Sequence, residues 1–125
     1  MANQAERTMA AEQELIDISK NNEVTIIRPR IKRLDATVAL AFKEAVLKVI
    51  ATGEQVLVLN LDAVQFMDSS GLGAVVSVLK ALGSRGKLAV CNANGALLSL
   101  FKLTRMDKVF TISGSMEEAM QQLGT

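Results

Sequence analysis

The sequence contains no histidine, and this absence removes several classes of functional site. Histidine is the usual general base beside a nucleophilic serine or cysteine, and it is the commonest zinc ligand. Ser-His and Cys-His mechanisms are therefore excluded. The single cysteine, Cys91, cannot form an internal disulfide. Because it ends the apolar run of residues 88–90, we expect a buried structural thiol there rather than a nucleophile.

Aromatic residues are scarce, at 3% of the chain, and tryptophan and tyrosine are missing. This scarcity argues against nucleic-acid modules that stack bases on aromatic rings. The charges nearly balance, with 14 basic and 13 acidic residues. The densest basic stretch, residues 28–33, has no aromatic residues interleaved, so we interpret it as a solvated loop. We expect no direct contact with nucleic acid.

Long apolar runs and targeting signals are also missing. No run approaches the roughly 20 residues that a helix needs to cross a bilayer. Residues 1–14 are polar and rich in alanine, and they do not resemble a signal peptide. We therefore expect a cytoplasmic protein that does not contact a membrane.

The composition is sufficient for one hydrophobic core. The chain has 125 residues and half of them are apolar, which suits a single domain that folds without disulfides or metal. Residues 1–14 show no strand-type hydrophobic repeat, so we predict a flexible N-terminal tail there and a domain over residues 15–125. The domain begins with a predicted hairpin whose tight turn lies at Asn21-Asn22.

Strands alternate with helices along the rest of the domain. Asp35 is a good N-cap for the first helix, and Gly53 can take the positive φ that ends it. This order predicts an α/β fold with a mixed, mainly parallel sheet of about four to five strands and about four helices. The predicted elements are strands over residues 15–19, 23–30, 56–61, 87–91 and 109–112, and helices over residues 36–51, 70–82, 95–103 and from 115 onward.

One turn joins the most apolar strand to the most regular helix pattern. It places Asp68, Ser69, Ser70 and Gly71 where the helix over residues 70–82 begins. Their oxygens can accept hydrogen bonds from the first free N–H groups of that helix, so the turn has a purely structural interpretation as a helix cap. The same place also suits a phosphate, because a helix start offers N–H donors and a partial positive charge. The residue pattern alone leaves both interpretations open.

The predicted outer face of this helix carries small residues. The pattern places Gly73, Ala74, Ser77, Ala81 and Ser84 away from the apolar stripe, with Lys80 as the one long charged side chain. Small side chains allow another protein to approach closely, although economical packing explains them equally well.

Three nucleotide- or phosphate-related motifs are incomplete. A dinucleotide-binding G-x-G-x-x-G motif could begin at Gly71, but Val76 stands where its third glycine belongs. Gly86-Lys87 lacks the earlier glycine and the following hydroxyl of a phosphate-binding loop. A phospho-accepting receiver domain needs an acidic pair after its first strand, and residues 19–21 offer none.

Several segments together resemble one family. The string FMDSSGLG, residues 66–73, is similar to the signature of the STAS domain, in particular that of the free-standing anti-sigma factor antagonists of bacteria. LLSLFKLTRMDKVFTI, residues 97–112, resembles the family's third helix and last strand, and SMEEAM, residues 115–120, resembles its closing helix. Leu34-Asp35-Ala36 resembles the turn before the first helix. The resemblance covers about residues 15–123 and implies a STAS-like fold.

The resemblance implies a regulatory protein that is not an enzyme and uses no cofactor or metal. Such antagonists bind an anti-sigma factor that is also a Ser/Thr kinase of the histidine-kinase-like ATPase type, and thereby free a sigma factor. Phosphorylation releases the partner, and a serine phosphatase resets the cycle. The family's acceptor serine falls on Ser69, with Ser70 as the alternative. The residues implied for partner binding are Asp35, Asp68, Ser69, Ser70, Gly71, Leu72 and Gly73.

Two residues depart from the family pattern outside the signature, and the first of them bears on the choice of partner. Lys32 stands where members often have glycine before Arg-Leu-Asp, and Arg105 stands where many have glycine after the third helix. The alternative function is that of a STAS subunit outside sigma-factor control, such as a lipid-transport accessory or a signalling scaffold. An intact acceptor serine favours the phosphorylation switch.

Overall fold

A computed structural model describes residues 15–124 of the chain. The tail predicted over residues 1–14 lies outside the described residues. The strands are β1 (Ile16–Asn21), β2 (Val24–Pro29), β3 (Arg33–Leu34), β4 (Val56–Asn60), β5 (Phe66–Met67), β6 (Lys87–Cys91) and β7 (Thr111–Ser113). The helices are α1 (Ala39–Ala51), α2 (Ser69–Leu82), α3 (Gly95–Leu103) and α4 (Met116–Gln122), and a short 3-10 helix covers Met106–Lys108.

The main sheet of the described residues has the strand order β1-β2-β4-β6-β7. β1 and β2 form an antiparallel hairpin, and Asn22 takes the left-handed conformation, with φ 58°, that its tight turn requires. The remaining neighbours are parallel and are joined by helical crossovers. This arrangement confirms the predicted α/β fold with a mixed, mainly parallel sheet.

The sheet is covered by helices on both faces, so its central strands are apolar on both sides. Leu57 and Leu59 of β4 pack in a large cluster that contains Phe42 of α1 and Phe101 of α3. Val58, which lies between the two leucines, belongs to a smaller cluster with residues of α4. Successive strand residues point to opposite faces, which explains why a continuous apolar run predicts this strand.

The start of α1 differs from the sequence prediction. We expected a helix from Ala36 capped by Asp35, but α1 begins at Ala39, and its N-cap residue Val38 makes no side-chain capping bond. The Asp35 carboxylate instead accepts from the backbone N–H of Thr37 at 3.0 Å. The backbone carbonyl of Asp35 accepts from the N–H groups of Val38 and Ala39. Asp35 therefore closes a separate turn before the helix, a role for which its side chain is equally suited.

Two apolar residues inside predicted elements are exposed. Leu103, at the end of α3, is 82% exposed, because the buried face of α3 consists of Leu97 and Phe101, four residues apart. Val109 is 51% exposed and precedes the last strand, which begins at Thr111 rather than at Val109 as predicted. Both residues flank the 3-10 helix, a conformation that the periodicity of the sequence does not reveal.

The helices are short relative to a membrane. The longest helix in the described part of the chain, α2, has 14 residues, which corresponds to about 21 Å against a hydrocarbon core of about 30 Å. Within residues 15–124, no helix is both long and apolar enough to cross a bilayer.

Cys91 generates a direct test of the packing of β6. The side chain is fully buried in the smaller cluster, and burial, with a contribution from the charge of Asp62, raises its pKa to about 11. At pH 8 only about one Cys91 side chain in a thousand is then in the reactive thiolate form. The surrounding core also keeps the reagent away from that thiolate. We expect Ellman's reagent to label the native chain only as fast as the chain unfolds. Rapid stoichiometric labelling without denaturant, at the rate seen in guanidinium chloride, would contradict this placement.

Candidate functional site

A two-stranded parallel pairing outside the main sheet builds the site. Arg33 pairs with Phe66 and Leu34 pairs with Met67, so β3 and β5 run side by side. Each strand has two residues, which is too short for an alternating pattern to reveal it in the sequence. The pairing brings Asp35 and Asp68, which follow these strands, to the same end of the molecule.

Asp68 connects the start of α2 to the turn that precedes α1. Its Oδ1 accepts from the backbone N–H of Gly71 at 3.0 Å, which makes Asp68 the N-cap of α2. Its Oδ2 accepts from the backbone N–H of Ala36 at 3.3 Å. Its own N–H donates to the carbonyl of Leu34 at 3.4 Å. The predicted role of Asp68 as a helix cap is confirmed, and the bond to Ala36 adds a link between two segments that the sequence does not indicate.

Asp35 is held in place by three contacts. The hydroxyl and the backbone N–H of Thr37 both donate to its Oδ1, at 2.5 and 3.0 Å, and Nε of Arg33 lies 3.5 Å from its Oδ2. The Thr37 hydroxyl is the largest cause of a lowered pKa for Asp35. Burial is the second-largest effect and opposes it, while the Thr37 N–H and Arg33 lower the pKa further. Asp35 therefore stays ionised close to Asp68.

The glycine of the signature allows α2 to approach β3. A Cβ atom on Gly71 would lie 2.1 Å from the carbonyl oxygen of Leu34 and 2.9 Å from the Met67 side chain. No side chain fits at such distances unless the backbone shifts. By contrast, a Cβ on Gly73 would meet nothing within 4 Å. The two glycines of the signature thus differ in role, since only Gly71 is required by close packing.

Ser69 and Ser70 are the first two residues of α2, and both are exposed. Within residues 15–124 neither hydroxyl has a hydrogen-bond partner, so both are free to react. The first N–H groups of α2 point toward this end, and the aligned peptide dipoles give it a partial positive charge. A phosphate on either serine would be stabilised by that charge, whereas the neighbouring Asp35 and Asp68 carboxylates would repel it.

The exposed surface next to the serines is composed of small residues. Gly73 and Ala81 are exposed, and the partly exposed Ser77 donates its hydroxyl to the carbonyl of Gly73 at 2.9 Å. Ala74 was expected on this face, but it is only 3% exposed. The reason is that the buried stripe of α2 passes through Gly71, which lies one turn before Ala74 and packs against β3.

Two apolar side chains of the elements next to α2 are exposed, and neither exposure was anticipated from the sequence. Phe66 is 39% exposed, and the guanidinium carbon of Arg33 lies 4.1 Å above the centre of its ring, within the range of a cation–π interaction. Leu40, in the first turn of α1, is 61% exposed. The Arg33–Phe66 contact depends on the β3–β5 pairing, so no signal in the sequence could have predicted it.

The structure therefore brings the predicted site residues together at the N-terminal end of α2. Asp35 and Asp68 are partly buried and hydrogen-bonded, Ser69, Ser70 and Gly73 are exposed, and Leu72 is half-buried against the core. Within the described part of the chain, no group of three Asp, Glu or Cys side chains is arranged to hold a metal ion. The geometry offers exposed hydroxyl groups on a rigid helix start, next to fixed negative charges.

Comparison with known proteins gives consistent matches. The sequence profile of the STAS domain matches residues 16–119. The anti-sigma F factor antagonist of Paenibacillus polymyxa is 34% identical over 68 residues, which are 54% of this chain and 58% of that protein. A Thermotoga maritima protein, provisionally named an anti-sigma factor antagonist, is 30% identical over 104 residues, which are 82% of this chain and 91% of that protein. The chain thus spans little more than half of the first relative and nearly all of the second.

The fold comparison agrees with the sequence comparison. The crystal structure of a Thermotoga maritima protein, again provisionally named an anti-sigma factor antagonist, matches this chain with a TM-score of 0.82 at 27% identity. The match covers 89% of this chain and 96% of that one. The elements that build the site therefore belong to a fold that the two chains share.

The different roles of the two glycines can be tested by alanine substitution. Gly71→Ala should lower the free energy of unfolding by about 1–3 kcal/mol, because the added methyl group clashes with the Leu34 carbonyl. Gly73→Ala should raise it by about 0.5–1 kcal/mol, because alanine favours the helix and the position is open. Urea denaturation of both variants measures these changes. Equal effects of the two substitutions would show that α2 does not pack closely against β3.

The environment of Asp35 predicts a pH effect. Its pKa is lower in the folded chain than in the unfolded chain, so its contribution to stability is complete above about pH 4 and is lost as the pH falls through the folded-state pKa. Thr37→Val removes the hydroxyl that contributes most, so the pKa of Asp35 should rise, as measured by NMR titration of the carboxyl carbon. The loss of stability in this variant should be larger at pH 6 than at pH 2.5.

A matched control is available at Thr52, the C-cap residue of α1. The hydroxyl of Thr52 donates to the backbone carbonyl of Val49 at 2.6 Å and touches no carboxylate. Thr52→Val should therefore leave the Asp35 pKa unchanged, and its effect on stability should not vary with pH in this range. If the Asp35 titration curve is the same in the wild type and in Thr37→Val, the hydrogen bond is not formed in solution.

Proposed function

This chain belongs to the STAS domain family, among the anti-sigma factor antagonists, and we propose that it is a phosphorylation-controlled protein–protein switch. Unphosphorylated, it binds an anti-sigma factor that is also a Ser/Thr kinase of the histidine-kinase-like ATPase type. Phosphorylation of Ser69 by that kinase releases the complex, and a serine phosphatase restores the binding form. We assign this role to residues 15–125 and place it in the cytoplasm.

The observation that carries the proposal is the placement of Ser69. Its side chain is exposed at the first position of α2, next to an N-cap that fixes the backbone around it. A kinase can reach such a hydroxyl without unfolding any element of the domain. Ser70 is equally exposed, so the choice of Ser69 comes from its place as the first serine of the family signature.

Phosphorylation would change the charge of this surface more than its shape. A phosphoserine carries roughly −1.5 to −2 charges at neutral pH. The nearby Asp68 cannot move away without losing its bonds to Gly71 and Ala36, and Asp35 is held by Thr37. A partner that approaches this end would therefore meet concentrated negative charge. The N-terminus of α2 partly compensates the phosphate, so the fold itself should be retained.

The unmodified surface is suited to close contact. Ser69, Ser70 and Gly73 have short side chains or none, so a partner can come close to the backbone of α2. The exposed apolar side chain of Leu40 lies on the neighbouring α1. Burial of such a surface against a partner is favourable only while no charge must be desolvated there. A dianion placed within this contact can supply the several kcal/mol of differential affinity that a decisive switch requires.

The proposal assigns the chain no chemistry of its own. The kinase supplies ATP and transfers the phosphoryl group, and this chain provides the acceptor hydroxyl and the binding surface. It requires no direct contact with nucleic acid or with a membrane.

Substitutions at Ser69 test the switch. Ser69→Ala should bind the partner kinase as tightly as the unmodified chain, and it should not be phosphorylated in the presence of Mg-ATP. Ser69→Asp and Ser69→Glu should bind at least about tenfold more weakly, a difference of about 1.4 kcal/mol or more. Binding is measured by isothermal titration calorimetry with the purified kinase from the same organism, and phosphorylation by mass spectrometry of the intact chain and its peptides.

Ser70→Ala is the matched control, because Ser70 is exposed in the same turn of α2. It should keep both phosphorylation and release. Phosphate found on Ser70 alone would overturn the assignment of the acceptor. Equal affinity of the unmodified, Ser69→Ala and Ser69→Asp chains for the kinase would overturn the switch itself and favour a constitutive scaffold role.

A further inference from the structure

Charge is distributed unevenly along the second half of the domain. Residues 69–116 contain six basic side chains but only one acidic side chain, Asp107. The chain as a whole carries a net charge of only +1, so this segment is strongly basic relative to the rest. The basic residues are Lys80, Arg85, Lys87, Lys102, Arg105 and Lys108. None of them takes part in an ion pair with another described residue, whereas Lys20, Arg28, Arg30 and Arg33 all do.

Three of these basic residues follow one another at the end of α3. The backbone N–H of Arg105 donates to the carbonyl of Lys102 at 3.1 Å, and that of Lys108 donates to the carbonyl of Arg105 at 3.1 Å. Each of these turns keeps its first and last Cα atoms within about 7 Å. Arg105 takes the left-handed conformation, with φ 62°, which ends α3 and starts the 3-10 helix. Lys102, Arg105 and Lys108 therefore form a short basic ridge.

Two exposed apolar side chains accompany the ridge. Leu103 is 82% exposed and Val109 is 51% exposed. A leucine that is left almost fully in water, between Lys102 and Arg105 in the sequence, contributes nothing to the core. Exposed apolar side chains beside positive charges offer an acidic partner both a surface to bury and complementary charge.

A cleft lies beside the ridge. It has a volume of about 500 Å³ and is lined by Leu79 of α2, by Gly86 and Lys87 at the start of β6, and by Asp107, Lys108 and Val109. Lys87 and Lys108 thus face the same space. We call the ridge and this cleft together the basic cleft. Its location is the C-terminal end of α2, about 20 Å along the helix from Ser69.

We propose that the basic cleft is a second interaction surface, which binds an acidic segment of a partner protein carrying an apolar side chain. The partner's carboxylates would pair with Lys87, Lys102, Arg105 and Lys108, and its apolar side chain would pack against Leu103 and Val109. A polypeptide segment fits better than a membrane, because it can enter the cleft at Lys87, Lys108 and Val109 as well as pass along the ridge, whereas a flat bilayer would contact the ridge alone. The proposal does not rest on phosphorylation of Ser69, since none of these residues belongs to that site.

Binding of defined peptides to the full chain tests this surface. The probe is a fluorescein-labelled peptide of twelve residues, in which aspartate and glutamate surround one leucine and one phenylalanine. We expect it to bind in fluorescence anisotropy, with an affinity that falls as salt increases. Two control peptides, one with serine in place of both apolar residues and one with lysine in place of the acids, should bind at least about tenfold more weakly. Backbone NMR shifts should change around residue 87 and over residues 102–111.

Charge-matched variants make the test specific. The triple variant Lys102→Gln, Arg105→Gln and Lys108→Gln should weaken binding about tenfold, because three charge pairs are lost. The control variant Arg30→Gln, Lys32→Gln and Lys43→Gln changes the net charge equally and should weaken binding less than about twofold. Leu103→Ser should also weaken binding, and its near-complete exposure means that it will not disturb the fold.

Three outcomes would overturn the proposal. The first is equal loss of binding in the two triple variants, which would indicate only general attraction between opposite charges. The second is absence of binding of the acidic probe at millimolar concentration in low salt. The third is binding of the chain to vesicles of phosphatidylcholine and phosphatidylglycerol (three to one) when the peptide does not bind. If the Lys102, Arg105 and Lys108 substitutions abolish that vesicle binding, the partner is a membrane instead.

Discussion

The arrangement of this domain around its proposed acceptor depends on one carboxylate that makes two bonds. Asp68 caps α2 through Gly71 and simultaneously holds the backbone of Ala36. Either bond alone would be an ordinary cap or an ordinary turn contact. Together they join the segment before α1 to the start of α2, although the two are more than thirty residues apart in the chain. The exposed serines consequently lie at a helix start whose position is fixed from two directions. A binding surface needs such a fixed position if its affinity is to depend on a single added charge.

This link is possible only because the backbones of β3 and α2 come very close. The carbonyl of Leu34 accepts from the N–H of Asp68 and also lies where a side chain on Gly71 would have to be. The absence of a side chain at Gly71 is therefore part of the same contact as the Asp68 bonds. The order of acid, two hydroxyls and glycine then has a physical explanation. The acid joins the segments, the glycine permits their approach, and the two serines between them are left pointing into solvent at the positively polarised end of α2.

Elements that are defined by their own residues could be predicted from the sequence. Elements that are defined by contacts with distant residues could not. The bounds of β6 and α3 match the prediction because a buried strand and a capped helix carry local patterns. Asp35 was misassigned because its side chain can cap a helix or close a turn, and the choice depends on Asp68 holding Ala36. The β3–β5 pairing, the Arg33–Phe66 contact and the burial of Ala74 all follow from the approach of Leu34 to Gly71, which no local pattern encodes.

The two ends of α2 differ in charge, and their separation determines how they can influence each other. The N-terminal end lies beside Asp35 and Asp68, and the C-terminal end lies beside the basic cleft. They are about 20 Å apart, whereas charges in solution are screened over about 8 Å at physiological ionic strength. A phosphate on Ser69 would therefore have little direct electrostatic effect on Lys87 or Lys108. Because α2 is a continuous, well-packed helix, a large structural effect is equally unexpected. If both proposals hold, phosphorylation of Ser69 would release the partner at the N-terminal end of α2 and leave an acidic segment bound at the other end.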